Sequence, residues 1–216
     1  MDLATLEVTD LWTSRWAGGA TWSPDGKMFL ITGSPLQFDN AGLDPDAGPI
    51  PSEYDTQAFI YDPETKQADP ISRNFDPKID SFAWSNVDKQ MYFLTTDKDY
   101  GNMYRYDPVS RIYTKLDTDV EVISHWDMAR KAPVMVYAGS GVTSPTQIYT
   151  LNTETGKRTL MADPAAEEFL DVRFGKVEPQ NFRNADGVEI EGRLYYPPNF
   201  DPAKKYPCIV YNGVSS

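Results

Sequence analysis

Six residues, Trp22-Ser23-Pro24-Asp25-Gly26-Lys27, return in altered form along the chain, and that return constrains the fold more than any other feature. A second copy begins at Trp84 (Trp-Ser-Asn-Val-Asp-Lys) and a worn third at Trp126 (Trp-Asp-Met-Ala-Arg-Lys). Each precedes a short apolar run: Met28 to Thr32, Met91 to Thr95, and Pro133 to Ala138. A second marker keeps step with the first, at Tyr61-Asp62-Pro63, Tyr106-Asp107-Pro108 and Leu151-Asn152-Thr153, and its middle residues stand 45 apart. Units of roughly 40 to 50 residues with several strands in each mark a propeller array, in which every small sheet buries its faces against its neighbours.

Local chemistry supports strands joined by tight turns. In Ser23-Pro24-Asp25-Gly26 the proline presets φ and the glycine supplies a left-handed conformation, so the segment turns the chain between two apolar runs. The first module reads as a strand into Trp22, then Met28 to Thr32, Gln57 to Tyr61, and an edge segment to Ile71. The second runs Ile79 to Trp84, Gln90 to Thr95, Asn102 to Tyr106 and Ile112 to Leu116. The third runs Glu121 to Trp126, Pro133 to Ala138, Gln147 to Leu151 and Lys157 to Leu160. Gly139-Ser140-Gly141 reads as a turn. Helical periodicity is confined to Pro164 to Leu170. Trp22 and Trp84 stand 62 residues apart, against 42 for Trp84 and Trp126, because a proline-rich insertion, Gly33 to Asp55, interrupts the first module. A loop of that length is expected to cover a face or meet a partner.

Charge and cysteine content narrow the partners. The 216 residues carry a net charge of −12, which repels nucleic acid and anionic membranes. Cys208 is the one cysteine, in an apolar run to Tyr211 that reads as a buried strand, so no intrachain disulfide forms. Met1 to Leu11 carries acidic residues where a secretory leader needs a basic start, and no apolar run nears the ~20 residues of a membrane-spanning helix. Asp44-x-Asp46-x-Gly48 hints at a calcium loop, but Pro49 and Asp55 stand where that loop needs glycine and glutamate, so no metal or other cofactor is expected.

After Ala162 the pattern changes. Two arms, Gly175 to Phe182 and Val188 to Tyr196, flank Asn184-Ala185-Asp186-Gly187, a strong hairpin signal. The full run is Phe182, then Asp186-Gly187-x-x-Ile190-x-Gly192-x-Leu194-Tyr195-x-Pro197, then Lys205-Tyr206-Pro207-x-Ile209-Val210-Tyr211. Taken with the modules, it resembles the junction at which the propeller of the prolyl oligopeptidase and dipeptidyl peptidase IV family of serine peptidases passes into its α/β-hydrolase domain. The resemblance runs from Arg15 to Tyr211.

The resemblance implies an all-β chain: a partial β-propeller of about three four-stranded blades over residues 1–174, then the first strands of an α/β-hydrolase sheet over 175–216. It implies a serine peptidase acting on short peptides, exopeptidase or prolyl-specific, with the catalytic serine, aspartate and histidine beyond this chain. The propeller would be a size filter and substrate-positioning wall, and the chain alone would have no peptidase activity. The place of the family's oxyanion tyrosine is held by Gly213, so Tyr211 is the nearest candidate, out of register, and Glu167-Glu168 is the candidate pair for a substrate's free amine. Each also has a plain structural reading, as a strand-end tyrosine and an ordinary linker turn. His125, beside Trp126, reads as structural, and Gly213-Val214-Ser215 as too early for a nucleophile elbow. A non-enzymatic binding propeller is the rival reading, and it would lack the tail after Gly175. Three modules do not close a circle of four to eight blades, so open edges are expected to promote self-association.

Overall fold

The computed structural model describes residues 4–8, 10, 11, 17–44 and 55–211. The chain divides into two compact units, one of residues 1–141 and 145–164, the other of residues 142–144 and 165–216.

The first unit is three antiparallel meanders of four strands each. The first sheet holds β1 (Ala17–Trp22), β2 (Phe29–Gly33), β3 (Gln57–Asp62) and β4 (Gln67–Pro70). The second holds β5 (Lys78–Trp84), β6 (Met91–Asp97), β7 (Tyr100–Asp107) and β8 (Ile112–Lys115). The third holds β9 (Val122–Met128), β10 (Val134–Gly141), β11 (Ser144–Asn152) and β12 (Arg158–Ala162). Each module of the sequence is thus one sheet of a partial β-propeller.

Alternation along the strands explains how the sheets stack. In β6, Met91 and Phe93 face a core shared with Leu30, Ala58 and Ile71 of the first sheet, while Tyr92 faces a core shared with Ile123, Met135, Tyr137 and Leu151 of the third. Successive side chains point to opposite faces, so the middle sheet is apolar on both and serves two neighbours. Polar ties reinforce the stack. Trp126 donates its indole N–H to Ser81 Oγ at 2.7 Å, and the Arg111 guanidinium grips Asp69 through two bonds of 2.6 and 3.0 Å. Burial raises the phenol of Tyr92 far above its ordinary value, so the hydroxyl keeps its proton and donates to Asp88 Oδ2 at 2.6 Å.

Both markers prove to be turn chemistry. Asp62 Oδ1 accepts from the backbone N–H groups of Glu64 (2.8 Å) and Thr65 (3.3 Å), Asp107 Oδ1 from Val109 (2.8 Å), and Asn152 Oδ1 from Glu154 (3.0 Å) and Thr155 (2.9 Å). These turns close through left-handed residues at Lys66 (φ 59), Arg111 (φ 60) and Gly156 (φ 70). In the tryptophan marker, Ser23 Oγ accepts from Met28 N at 2.9 Å and donates to Asp25 at 2.6 Å.

Donation from Glu64 N–H and Val109 N–H holds the carboxyls of Asp62 and Asp107 below the usual carboxylate range. A group depressed in the folded state stabilises it above the unfolded value, near pH 4, and that contribution is lost as pH falls through the folded value. Asn152 makes the same bonds without titrating. The Asp62→Asn, Asp107→Asn double variant should therefore lose less thermal stability than the parent between about pH 5 and 3 in circular-dichroism melts. Equal losses would contradict the turn assignment.

Several expectations are corrected. Gly139 to Gly141 end strand β10 rather than forming a turn. A Cβ at Gly139 would lie 2.7 Å from Val120 Cγ2, so glycine serves close packing there. The insertion is not without structure: Pro35–Phe38 form a 3-10 turn whose Phe38 ring lies 4.2 Å from that of Phe59, covering the face of the first sheet turned away from the second. Insertion residues 45–54, with Asp46, Gly48 and Pro49, lie outside the described residues. Cys208 is exposed, and the run to Tyr211 is not a strand, with Ile209 94%, Val210 87% and Tyr211 91% exposed. A strand needs a neighbour for its N–H and C=O groups, and among the described residues none pairs with this run. On the side of the third sheet turned from the second, Val122 and Val136 are exposed.

The second unit centres on a hairpin, β13 (Val177–Arg183) with β14 (Glu189–Tyr195), in continuous register from Val177 opposite Tyr195 to Arg183 opposite Glu189. Gly187 (φ 80) and the Asn184 side chain, which accepts from Asp186 N (3.0 Å) and Val188 N (2.9 Å), make its turn as the sequence predicts. Phe182 and Ile190 pair across it and are both exposed. Pro164 to Asp171 is a run of turns rather than a helix.

Candidate functional site

Antiparallel meanders send their connections to two ends. One end of the first unit carries both sets of marker turns, which are short and closed by their own side chains. The other carries the insertion after β2 and the link Ile71 to Pro77 between the first two sheets. A cleft of about 670 Å³ opens at this second end, within the usual range for small-ligand sites.

Its floor is neutral and polar. Gln57, at the start of β3, is 4% exposed and donates from Nε2 to Gly42 O (3.0 Å) and Asp55 Oδ2 (2.6 Å). Its Oε1 is buried against Gly42 and has no hydrogen-bond partner among the described residues. Ser72 is also buried, and its Oγ accepts from Ala58 N at 2.8 Å. Gly18 and Gly19 of β1 form one wall, with Thr32 Oγ1 close against Gly18.

The rim carries both signs of charge. Arg73 faces Asp44 at 3.8 Å, with both side chains about half exposed, and Lys78 faces Asp80 at 3.2 Å. Asp55 and Asp76 complete it. Exposed pairs of this kind contribute little stability, so the Arg73 guanidinium is held loosely. Two smaller clefts lie at the marker end, about 340 Å³ around Trp84 and Met28, and about 410 Å³ around Arg105 and Thr153.

None of the candidate catalytic or substrate-binding residues from sequence lines this cleft, although Asp55 of the insertion does. Glu167 and Glu168 are exposed in the turns that precede the hairpin, and Tyr211 is exposed at the last described position. His125 is exposed on β9 with Nδ1 3.3 Å from Ser124 Oγ, and among the described residues no carboxylate orients it. Asp44 lies opposite Arg73, and Gly213 and Ser215 fall outside the described residues. Arg73 and Gln57 were missed from sequence. The available signal was the Gly18-Gly19 pair, which places no side chains where the second module has Asp80-Ser81 and the third has Val122-Ile123.

No family model matches the chain. Among curated proteins it is 22% identical over 192 residues to dipeptidyl-peptidase 5 of Porphyromonas gingivalis, covering 88% of this chain and 26% of that protein. Among solved structures, dipeptidyl peptidase 4 of Porphyromonas gingivalis matches with a TM-score of 0.62 at 15% identity, over 90% of this chain and 26% of that one. An acylaminoacyl peptidase of Pyrococcus horikoshii matches with a TM-score of 0.60 at 17% identity, over 85% and 25%. The chain spans about a quarter of the length of each of these relatives. In fold, then, the chain is a partial β-propeller similar to the propellers of the prolyl oligopeptidase and dipeptidyl peptidase IV family of serine peptidases.

Proposed function

We propose that the chain is the propeller portion of a serine peptidase that hydrolyses short peptides, its catalytic serine, aspartate and histidine supplied by an α/β-hydrolase domain that follows Tyr211. The observation that carries this reading is the second unit. A lone two-stranded hairpin is marginal in water, yet this one bares Phe182 and Ile190 and is followed by Ile209, Val210 and Tyr211, each more than 85% exposed. At about 25 cal/mol per Å² of apolar surface, such a run favours burial in a larger sheet. A hydrolase sheet provides it.

The propeller then acts as wall and filter, admitting short, extended peptides and excluding folded chains. Tyr211 is the candidate oxyanion donor, and Glu167 with Glu168 the candidate pair for a substrate's amine. The protein expressed from its whole reading frame should release chromophore from dipeptidyl and tripeptidyl substrates and leave casein intact. Cleavage of casein at a comparable rate would contradict the filter.

A further inference from the structure

The two seams between sheets differ where the repeat should make them alike. Strand β3 pairs with β4 as β7 pairs with β8, so Ile60 and Asp69 of the first sheet hold the places of Arg105 and Thr114 of the second. The left-handed residue that closes the marker turn is Arg111 in the second sheet and Gly156 in the third. At the first seam these places close the gap: Ile60 packs against the shared core, and Arg111 reaches back to Asp69. At the second seam all three have changed. Arg105 stands for Ile60, Thr114 for Asp69 and Gly156 for Arg111, and a Cβ at Gly156 would meet nothing within 4 Å. Both halves of the tie are gone, and the cleft of about 410 Å³ opens beside them.

The change also leaves charge unused. Arg105 is half-buried, and among the described residues its one hydrogen bond is a 3.4 Å contact to Thr153 O. A guanidinium where the repeat carries an isoleucine is costly to desolvate unless it is paired, and its planar fork suits a carboxylate. Asp88 and Asp107 line the same cleft but are already engaged. Asp88 accepts from the Tyr92 hydroxyl and Gln90 N, and Asp107 from Val109 N and the Ser110 hydroxyl. Glu154, on the third sheet's side, is exposed and forms no ion pair with Arg105 or any other described residue. A cation and an anion that line one cleft without pairing suit a ligand with opposite charges on its two ends. Asp88 and Asp107 repel a bare anion such as phosphate, whereas a zwitterion carries no net charge.

We propose that this cleft binds a free α-amino acid, its carboxylate on Arg105 and its ammonium on Glu154. Every residue involved lies in the second and third sheets, so the proposal does not depend on the peptidase reading.

The test is a nitrogen-15 NMR titration of the 216-residue chain with alanine, alaninamide, acetate and inorganic phosphate. Alanine at millimolar concentration should shift the Arg105 side-chain N–H and the backbone amides of Thr114, Thr153 and Glu154. Alaninamide, which lacks the carboxylate, and acetate, which lacks the ammonium, should each bind about tenfold more weakly, the worth of one charge-assisted contact. Thr114 is exposed and directly opposite Arg105, so Thr114→Asp restores the first seam's carboxylate beside the guanidinium without disturbing the core. That variant, and Arg105→Ile, should each weaken alanine about tenfold. No shifts at millimolar alanine, shifts confined to other residues, acetate or phosphate binding as tightly as alanine, or unchanged alanine affinity in the folded Thr114→Asp variant would each overturn the proposal.

Discussion

Replacing Phe93 by alanine is expected to cost the first unit about 4 kcal/mol, the usual range for a fully buried aromatic. Phe93 is completely buried at the centre of β6, in the core that joins the first and second sheets, with ring centroids 6.4 Å from Phe82 and 5.7 Å from Tyr113. Its loss leaves a void that two sheets of fixed backbone fill poorly. In a blade array each sheet leans only on its neighbours, so damage to the middle sheet is felt by both. Val109, 91% exposed in the turn before β8, provides the control, where alanine should change stability by no more than about 0.5 kcal/mol. Urea unfolding followed by tryptophan fluorescence compares the two. A loss below about 1 kcal/mol for Phe93→Ala would mean that stacking between sheets is not what holds the array.

The second large effect is an absence of turnover. The 216-residue chain by itself should hydrolyse peptide chromogens no faster than buffer. Nucleophilic catalysis needs a serine activated by a base that a third group orients. Among the described residues the nearest approach to that arrangement is Ser124 with His125, and there the Ser124 hydroxyl donates to Ala138 O while His125 stands exposed without a carboxylate partner. Ser124→Ala and Ser215→Ala should both leave the background rate unchanged, and turnover removed by either would overturn the assignment.

Much of the fold was legible because its determinants are local. An Asx turn needs only Asp62 or Asn152 and the next three residues, so the 45-residue marker spacing mapped directly onto three sheets. The Asp186-Gly187 hairpin was legible for the same reason. Cys208 to Tyr211 misled because apolar composition states a preference for burial without naming the strand that would provide it. Gly139 to Gly141 misled because a glycine needed for close packing against Val120 looks the same in sequence as one needed for a turn. The cleft was illegible for a further reason. Gly18, Gln57 and Arg73 are far apart in sequence and come together only when the first sheet forms and the link after it folds back, and the one local clue was a pair of missing side chains.

That this propeller belongs to a serine peptidase is tested by labelling the protein expressed from its own whole reading frame with a fluorophosphonate probe, which reacts only with an activated serine, and locating the label by mass spectrometry. Stoichiometric labelling of one serine lying C-terminal to Tyr211 is expected. An unlabelled protein, as a binding propeller would be, or a label on a serine within residues 1–211, would contradict it.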